Sequence, residues 1–234
     1  MSERVSARAA HEARAQRLAR MMVLSALGAA VTAAGARITV PWWPVPATAQ
    51  VFFVLLCGAA LGPRWGAAAQ AQYVAAGALG LPIFAGGRGG PAVLLGPTGG
   101  YIVGFVAAAY VTGRLTEAWG RFAGRPGGRP LRQRVGTAGV GFHPDPSVGD
   151  YATTPVGRPL RWRGGGRYVA AVMGAATVWL CGWAWLAAWA AAGGEAAPLR
   201  AAFTWGVAPF IALDMVKAIA AAWAGRAVAR MIGA

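Results

Sequence analysis

Asp214 and Lys217 are the residues of this chain whose types and spacing point to chemistry. They place a carboxylate and an ammonium inside GVAPFIALDMVKAIAAAW, an otherwise apolar stretch. Three residues apart on a helix, they share a face. In hydrocarbon each charge costs roughly 2.5–3.5 kcal/mol on insertion scales, and more in simulations. The chemistry open to such a pair is recognition. A carboxylate accepts hydrogen bonds from N–H groups, and an ammonium holds an anion or a carbonyl oxygen. Neighbouring aromatic and aliphatic residues would bury an apolar body. The implied ligand is small and partly apolar, with N–H donors and a negative charge. The competing reading is an internal ion pair that only fixes helix packing; such pairs seldom add net stability, because desolvation offsets much of the attraction.

Catalysis has no comparable constellation. The seven acidic residues do not cluster, and His11 and His143 lie in basic segments far from Asp214 in sequence. His143 and Asp145 flank Pro144, too few ligands for a metal site. No Gly-rich loop ending in Lys-Ser or Lys-Thr is present, so ATP hydrolysis by that route is excluded. Cys57 and Cys181 stand singly in apolar stretches and read as small core hydrophobes rather than as a disulfide or zinc framework.

The elements that must position the pair are membrane helices. The 234 residues are 57% hydrophobic and 12% charged, against about 25% charged in soluble domains. Apolar blocks of near-spanning length recur. They predict six spans, at about Met21–Gly35, Ala47–Gly62, Trp65–Leu81, Val93–Thr112, Tyr168–Ala192 and Phe203–Val228. The expected fold class is an all-α, six-helix membrane bundle forming one membrane domain. Counting from Phe203, Asp214 falls roughly 16 Å into the last span, near the middle of a core about 30 Å thick. Pro209, five residues earlier, is expected to bend that helix just above the charges and open space on the outer side.

A net charge of +15 invites a nucleic-acid reading, but the positions of the charges argue against it. Eighteen of the 22 Lys and Arg fall on one side of a six-span topology: before the first span, between the second and third, between the fourth and fifth, and at the end. Arg37, Arg88 and Arg200 fall on the other side. This is the positive-inside pattern, with both termini cytoplasmic and the basic surface facing anionic lipid rather than nucleic acid. The first span, with basic residues before it and Ala34-Gly35-Ala36 after its apolar core, also has the outline of a cleavable signal peptide. An uncleaved span is the preferred reading. Ala26, Ala30 and Ala34 recur every fourth residue along it, a small-residue face for close helix approach either within the bundle or with a partner.

Between the spans the composition changes. Residues 1–20 read as a basic, partly helical lead-in. The segment Arg37–Thr48, with three prolines and Trp42-Trp43, belongs at the outer surface, where Arg37 reads as an interfacial anchor. Gly62-Pro63 marks a tight inner turn. GLPIFAGGRGGPAVLLGPTGG, residues 80–100, is too rich in Gly and Pro for continuous helix and too apolar for a solvated linker. Such backbone survives at membrane depth only where protein buries it or it lines a cavity. It is expected to cap the Asp214–Lys217 pocket from outside, with Val93–Leu95 packing inward. Arg88, Gln50, Tyr73 and Tyr101 are the further polar candidates for that pocket. Residues 116–167 form an Arg/Gly/Pro-rich cytoplasmic connection, expected to be largely disordered, before the last two helices in 168–234.

Several blocks occur in one order: WPVPATAQVFFVLLCGAALGPRWGA, GALGLPIFAGGRGG, VLLGPTGGYIVGF and the Asp-x-x-Lys of the last span. Together they closely resemble the BioY family, the biotin-specific S components of energy-coupling-factor (ECF) transporters, over residues 20–115 and 168–230. The resemblance implies a six-helix membrane protein of the bacterial inner (plasma) membrane that binds biotin with high affinity near the outer face. It also implies that the protein is not an enzyme and has no cofactor of its own. It implies that Asp214 and Lys217 contact biotin, with Arg88 a further contact. It implies docking through small residues of the first span, here Ala26, Ala30 and Ala34, on a transmembrane coupling protein. ATP would enter only through that protein's two ATPase partners. The connection at 116–167 is longer than the family pattern leads one to expect. The rival functions are an S component for another vitamin and a non-transporting membrane scaffold.

Overall fold

The computed structural model describes residues 2–124 and 165–232. They are almost wholly helical. In chain order they form α1 (Ser2–Gly35), β1 (Thr39–Val40), β2 (Ala47–Thr48), α2 (Gln50–Ala78), α3 (Pro91–Leu95), α4 (Gly99–Gly124), α5 (Gly165–Ala192), α6 (Pro198–Gly206) and α7 (Ile211–Met231). Among the described residues, four stretches are long and apolar enough to cross a membrane: His11–Gly35, Gln50–Ala78, Gly165–Ala192 and Pro198–Met231. The conformation of residues 125–164 lies outside the described residues, so the expectation of disorder there, and the pairing of His143 with Asp145, fall outside them too. Residues 116–124 and 165–167, expected in the loop, belong instead to α4 and α5. The lead-in is helical from Ser2 onward and continuous with the first predicted span.

The chain reverses within α2. Gly62 adopts φ 78° and ψ 178°, a backbone conformation that favours glycine, and Pro63 follows, where its fixed φ starts the second arm. A Cβ on Gly66 would stand 2.8 Å from the Cα of Gly58. In a straight helix those residues would lie about 12 Å apart. The arms Gln50–Leu61 and Pro63–Ala78 therefore form a hairpin, with the turn where Gly62-Pro63 was expected. α1 lies against both arms through Gly28, which faces Cys57 on one arm and Ala69 on the other. Ser25, Thr32, Gln70 and Gln72 join the two helices: Gln70 Nε2 donates to Thr32 Oγ1 at 3.2 Å and Gln72 Nε2 to Ser25 Oγ at 3.0 Å.

α4 packs between the α2 hairpin and α5, and α7 closes on α2 and α5. Close approach needs small residues, and a Cβ on Gly182 of α5 would lie 2.2 Å from the Tyr101 ring of α4. The core runs along this seam through Leu55, Phe105, Val178 and Leu186. Ala26, Ala30 and Ala34 point the other way: all three are exposed. Met22, Val23, Leu27 and Val31 share that uncovered side of α1. The small-residue face is therefore not used within the bundle.

The last predicted span is interrupted. α6 ends at Gly206, Val207 leaves helical geometry (φ −121°, ψ −58°), Ala208–Phe210 form one turn of 3₁₀ helix, and α7 begins at Ile211. Pro209 lies in that turn, so the expected bend is a break in the helix. The fourth predicted span, Val93–Thr112, is likewise divided between α3 and α4 by Gly96-Pro97-Thr98.

Candidate functional site

The break before α7 places Asp214 in the first turn of that helix, where the helix dipole favours a negative charge. Lys217 follows one turn later, and its Nζ donates to Asp214 Oδ1 at 2.7 Å. Their side chains are 6% and 13% exposed. The second carboxylate oxygen, Oδ2, accepts a hydrogen bond from the indole Nε1 of Trp179 on α5 at 2.9 Å. Each oxygen therefore holds one fixed donor and keeps lone-pair capacity for another. Lys217 keeps two further N–H donors.

Both residues line a cavity bounded by α7, α5, α4, the start of α2, β2 and the loop between α2 and α4. It spans about 620 Å³ of atom-free space counted out to its open mouth, and about 60 Å³ of that admits the centre of a water molecule. Most of the wall is apolar, from Val45, Val51, Phe84, Phe105, Val178 and Phe210. Thr48, Gln50 and Thr98 add polar atoms.

The four additional polar candidates divide. Gln50 is buried and lines the cavity. Arg88 is exposed, lines the mouth, and donates from Nε to the Ala85 carbonyl at 3.1 Å. Tyr101 lines the cavity, but its hydroxyl is engaged, donating to the Gly206 carbonyl at 2.8 Å and so holding the end of α6. Tyr73 is fully buried behind Gln50 rather than in the cavity wall. Its hydroxyl accepts from Gln50 Nε2 and donates to the Ile83 carbonyl at 3.2 Å, which ties Gln50 to the loop.

The Gly-rich loop gives Phe84, Ala85, Arg88 and Val93 to the cavity lining, and its fastenings are visible. Phe84 is fully buried, edge-on to Tyr73 at 5.5 Å between ring centroids, and fills the place a Cβ on Gly77 would take. Gly90 N–H donates to the Gly77 carbonyl at 2.7 Å. Positive φ at Gly86, Gly87 and Gly90 lets so short a segment turn repeatedly. Arg37 donates from Nη2 to the Pro82 carbonyl at 2.7 Å, so it fastens the loop to the end of α1. Trp185 Nε1 does the same from α5, donating to the Gly96 carbonyl at 2.9 Å. Val93 and Leu94 pack inward, whereas Leu95 is 70% exposed; a five-residue helix cannot turn three consecutive side chains to one side.

Sequence reasoning missed Trp179 and the hairpin of β1 and β2. Trp179 is one of four tryptophans in α5, and nothing in spacing separates it from its neighbours. The hairpin supplies Val45, Pro46, Ala47 and Thr48 to the wall.

The geometry is that of a helical membrane protein with a solute-sized cavity that holds a buried carboxylate–ammonium pair. Known proteins agree. The family model described as "BioY family" matches residues 4–234, and the chain belongs to the BioY family, whose members are transporter components rather than enzymes. It is 36% identical to the probable biotin transporter BioY of Pyrococcus horikoshii over 203 residues, 87% of this chain and 92% of that protein. Biotin transporter BioY of Thermotoga maritima is 47% identical over 104 residues, 44% of this chain and 62% of that one. Relatives therefore include an archaeal protein. The crystal structure of the S-component for biotin from an ECF-type ABC transporter superposes with a TM-score of 0.64 at 19% identity, covering 92% of this chain and 93% of that one. At that identity the likeness is one of fold.

Proposed function

We propose that this chain is the biotin-recognising subunit of an ECF uptake transporter in the plasma membrane. The single observation that carries the reading is the Asp214–Lys217–Trp179 cluster, buried in a largely apolar cavity under a fastened loop. The ureido ring of biotin offers two N–H donors and one carbonyl oxygen. Asp214 has acceptor capacity left for the former, and Lys217 has donors left for the latter. The exposed guanidinium of Arg88 at the mouth suits the carboxylate at the end of the valerate chain. The sulfur-containing ring and the alkyl chain between these ends are apolar, as is most of the wall.

Six crossings, with both termini cytoplasmic, follow from the same reading. The α2 hairpin contributes two of them. Its arms are short, about 18 and 24 Å, and the β1–β2 hairpin and the Gly-rich loop complete their outer ends as non-helical backbone lining a cavity. The charge asymmetry sets the orientation. The partners are a transmembrane coupling protein, met through the exposed Ala26, Ala30 and Ala34 face, and the ATPase subunits that drive it.

Equilibrium binding of radiolabelled biotin to the purified protein tests this reading, with thiamine and riboflavin as competitors. Saturable binding below about 1 μM, displaced by neither competitor, is the expected result. Its absence, or displacement by either vitamin, overturns it.

A further inference from the structure

A second concavity lies at the other end of the bundle. It is an open groove of about 1810 Å³ of atom-free space counted out to solvent, lined by α1, the Gly62-Pro63 turn of α2, α4 and the end of α7. Along α4 it is centred about 20 Å from Tyr101, and along α7 about 18 Å from Lys217, so it is separate from the ligand cavity. Arg17, Arg20, Arg64 and Arg114 line it, and Glu117 is the one carboxylate among its described lining residues. Arg20 spends one donor on the Ile232 carbonyl at the end of α7, leaving four N–H groups of its fork.

We infer that this groove is a binding site for the phosphate headgroup of an anionic phospholipid. Guanidinium forks match phosphate oxygens in geometry as well as charge. Trp65 and Tyr110 also line the groove, and such aromatics mark headgroup level. Met21, Ala59, Ala60 and Leu61 give it an apolar side, against which the first carbons of the acyl chains lie. Basic pockets between membrane helices at the cytoplasmic side suit such headgroups. The chain's own segment 125–164 is a poor occupant, with seven arginines against two aspartates. A lipid held here ties the inner ends of α1, α2, α4 and α7 together. The inference rests on the membrane-spanning reading but not on biotin recognition.

Native mass spectrometry of the full-length protein in detergent tests it, with phosphatidylglycerol, phosphatidylcholine and inorganic phosphate as probes. Phosphatidylglycerol is expected to stay bound, phosphatidylcholine to be lost, and millimolar phosphate not to displace the lipid. R64Q/R114Q is expected to cut phosphatidylglycerol retention roughly ten-fold or more while radiolabelled biotin still binds as in the parent. Equal retention of both lipids overturns the assignment, as does a double variant that keeps phosphatidylglycerol. Displacement by phosphate makes the groove a soluble-anion site and overturns it as well. Loss of coupling-protein co-purification with lipid retention unchanged identifies a protein-docking surface instead. Should R64Q/R114Q fail to fold, Glu117→Gln decides: retention must rise, and an unchanged or lower value sinks the proposal. Lipid retention without biotin binding would leave this site standing and the biotin reading refuted.

Discussion

Asp214→Asn keeps the shape of the side chain and removes its charge, and the structure sets the size of the effect. The carboxylate binds Lys217 Nζ at 2.7 Å through one oxygen and Trp179 Nε1 at 2.9 Å through the other. Removing one partner of a buried ion pair strands the other, at about 3–5 kcal/mol of stability. A charge-assisted hydrogen bond to biotin is worth about 1.5–3 kcal/mol. At about 1.4 kcal/mol per decade, that weakens binding roughly ten- to hundred-fold. The single variant mixes the two effects, because part of the protein unfolds. Asp214→Asn with Lys217→Met separates them. No ammonium is then stranded, and replacing a buried pair by less polar groups of similar size is often neutral. Stability should return to within about 1 kcal/mol of the parent, whereas biotin has lost its charged acceptor, now a neutral amide oxygen, and its ammonium donor. Thermal unfolding in detergent and equilibrium binding of radiolabelled biotin read the two quantities. A double variant that folds and binds biotin within about three-fold of the parent shows that the pair only packs helices, and refutes the recognition argument.

Four further substitutions probe the rest of the site. Trp179→Phe keeps the aromatic wall and removes the donor to Asp214; calorimetric titration should show roughly ten-fold weaker biotin binding, and unchanged affinity would make the indole a wall alone. Gly77→Ala sets a Cβ 2.1 Å from the Phe84 ring; overpacking of about 1–3 kcal/mol should lower the unfolding temperature and speed biotin release in a pulse-chase experiment. Arg37→Ala frees the Pro82 carbonyl from an exposed bond worth about 1 kcal/mol, so the same experiment should show release only a few-fold faster, with the unfolding temperature nearly unchanged. Ala30→Leu alters an exposed position, so biotin binding should persist while co-purification with the coupling protein and ATP-dependent uptake are lost.

What the sequence made legible was whatever has a local cause. Gly62-Pro63 announces a reversal because glycine permits φ near 78° and proline starts the next arm. The Gly80–Gly100 block excludes long helix by composition, and α3 within it is indeed short, with Phe84, Ala85, Arg88 and Val93 of the block lining the cavity. Contacts between elements distant in sequence were not legible. Trp179 meets Asp214 across 35 residues, in a helix where four tryptophans carry the same apolar signal. Tyr73 has the polarity of a ligand contact, yet it serves Gln50 from behind, a distinction that depends on which arm of the hairpin faces the cavity. The sides of α1 were also undetermined from spacing, because Ala26, Ala30 and Ala34 are equally suited to packing within the bundle and against a partner. Only the buried Ser25, Gly28 and Thr32 settle which side is turned outward.

The break at Val207–Phe210 explains how a carboxylate and an ammonium persist in so apolar a helix. In the middle of an unbroken span, Asp214 would meet only satisfied backbone groups, and Lys217 alone would answer its charge. With α7 starting at Ile211, the carboxylate stands in the first turn, where the helix dipole favours a negative charge, and Trp179 supplies a further donor. The same break ends α6 at Gly206, whose carbonyl is held by the Tyr101 hydroxyl, and it brings Phe210 into the cavity wall. Pro209 therefore does more than bend a helix. By stopping one and starting another, it gives the charged pair a polar setting on the protein side while both groups still line the cavity with hydrogen-bonding capacity to spare. Desolvation of the pair is then already met by fixed protein dipoles before any ligand arrives, the condition under which a buried charge favours binding instead of opposing it.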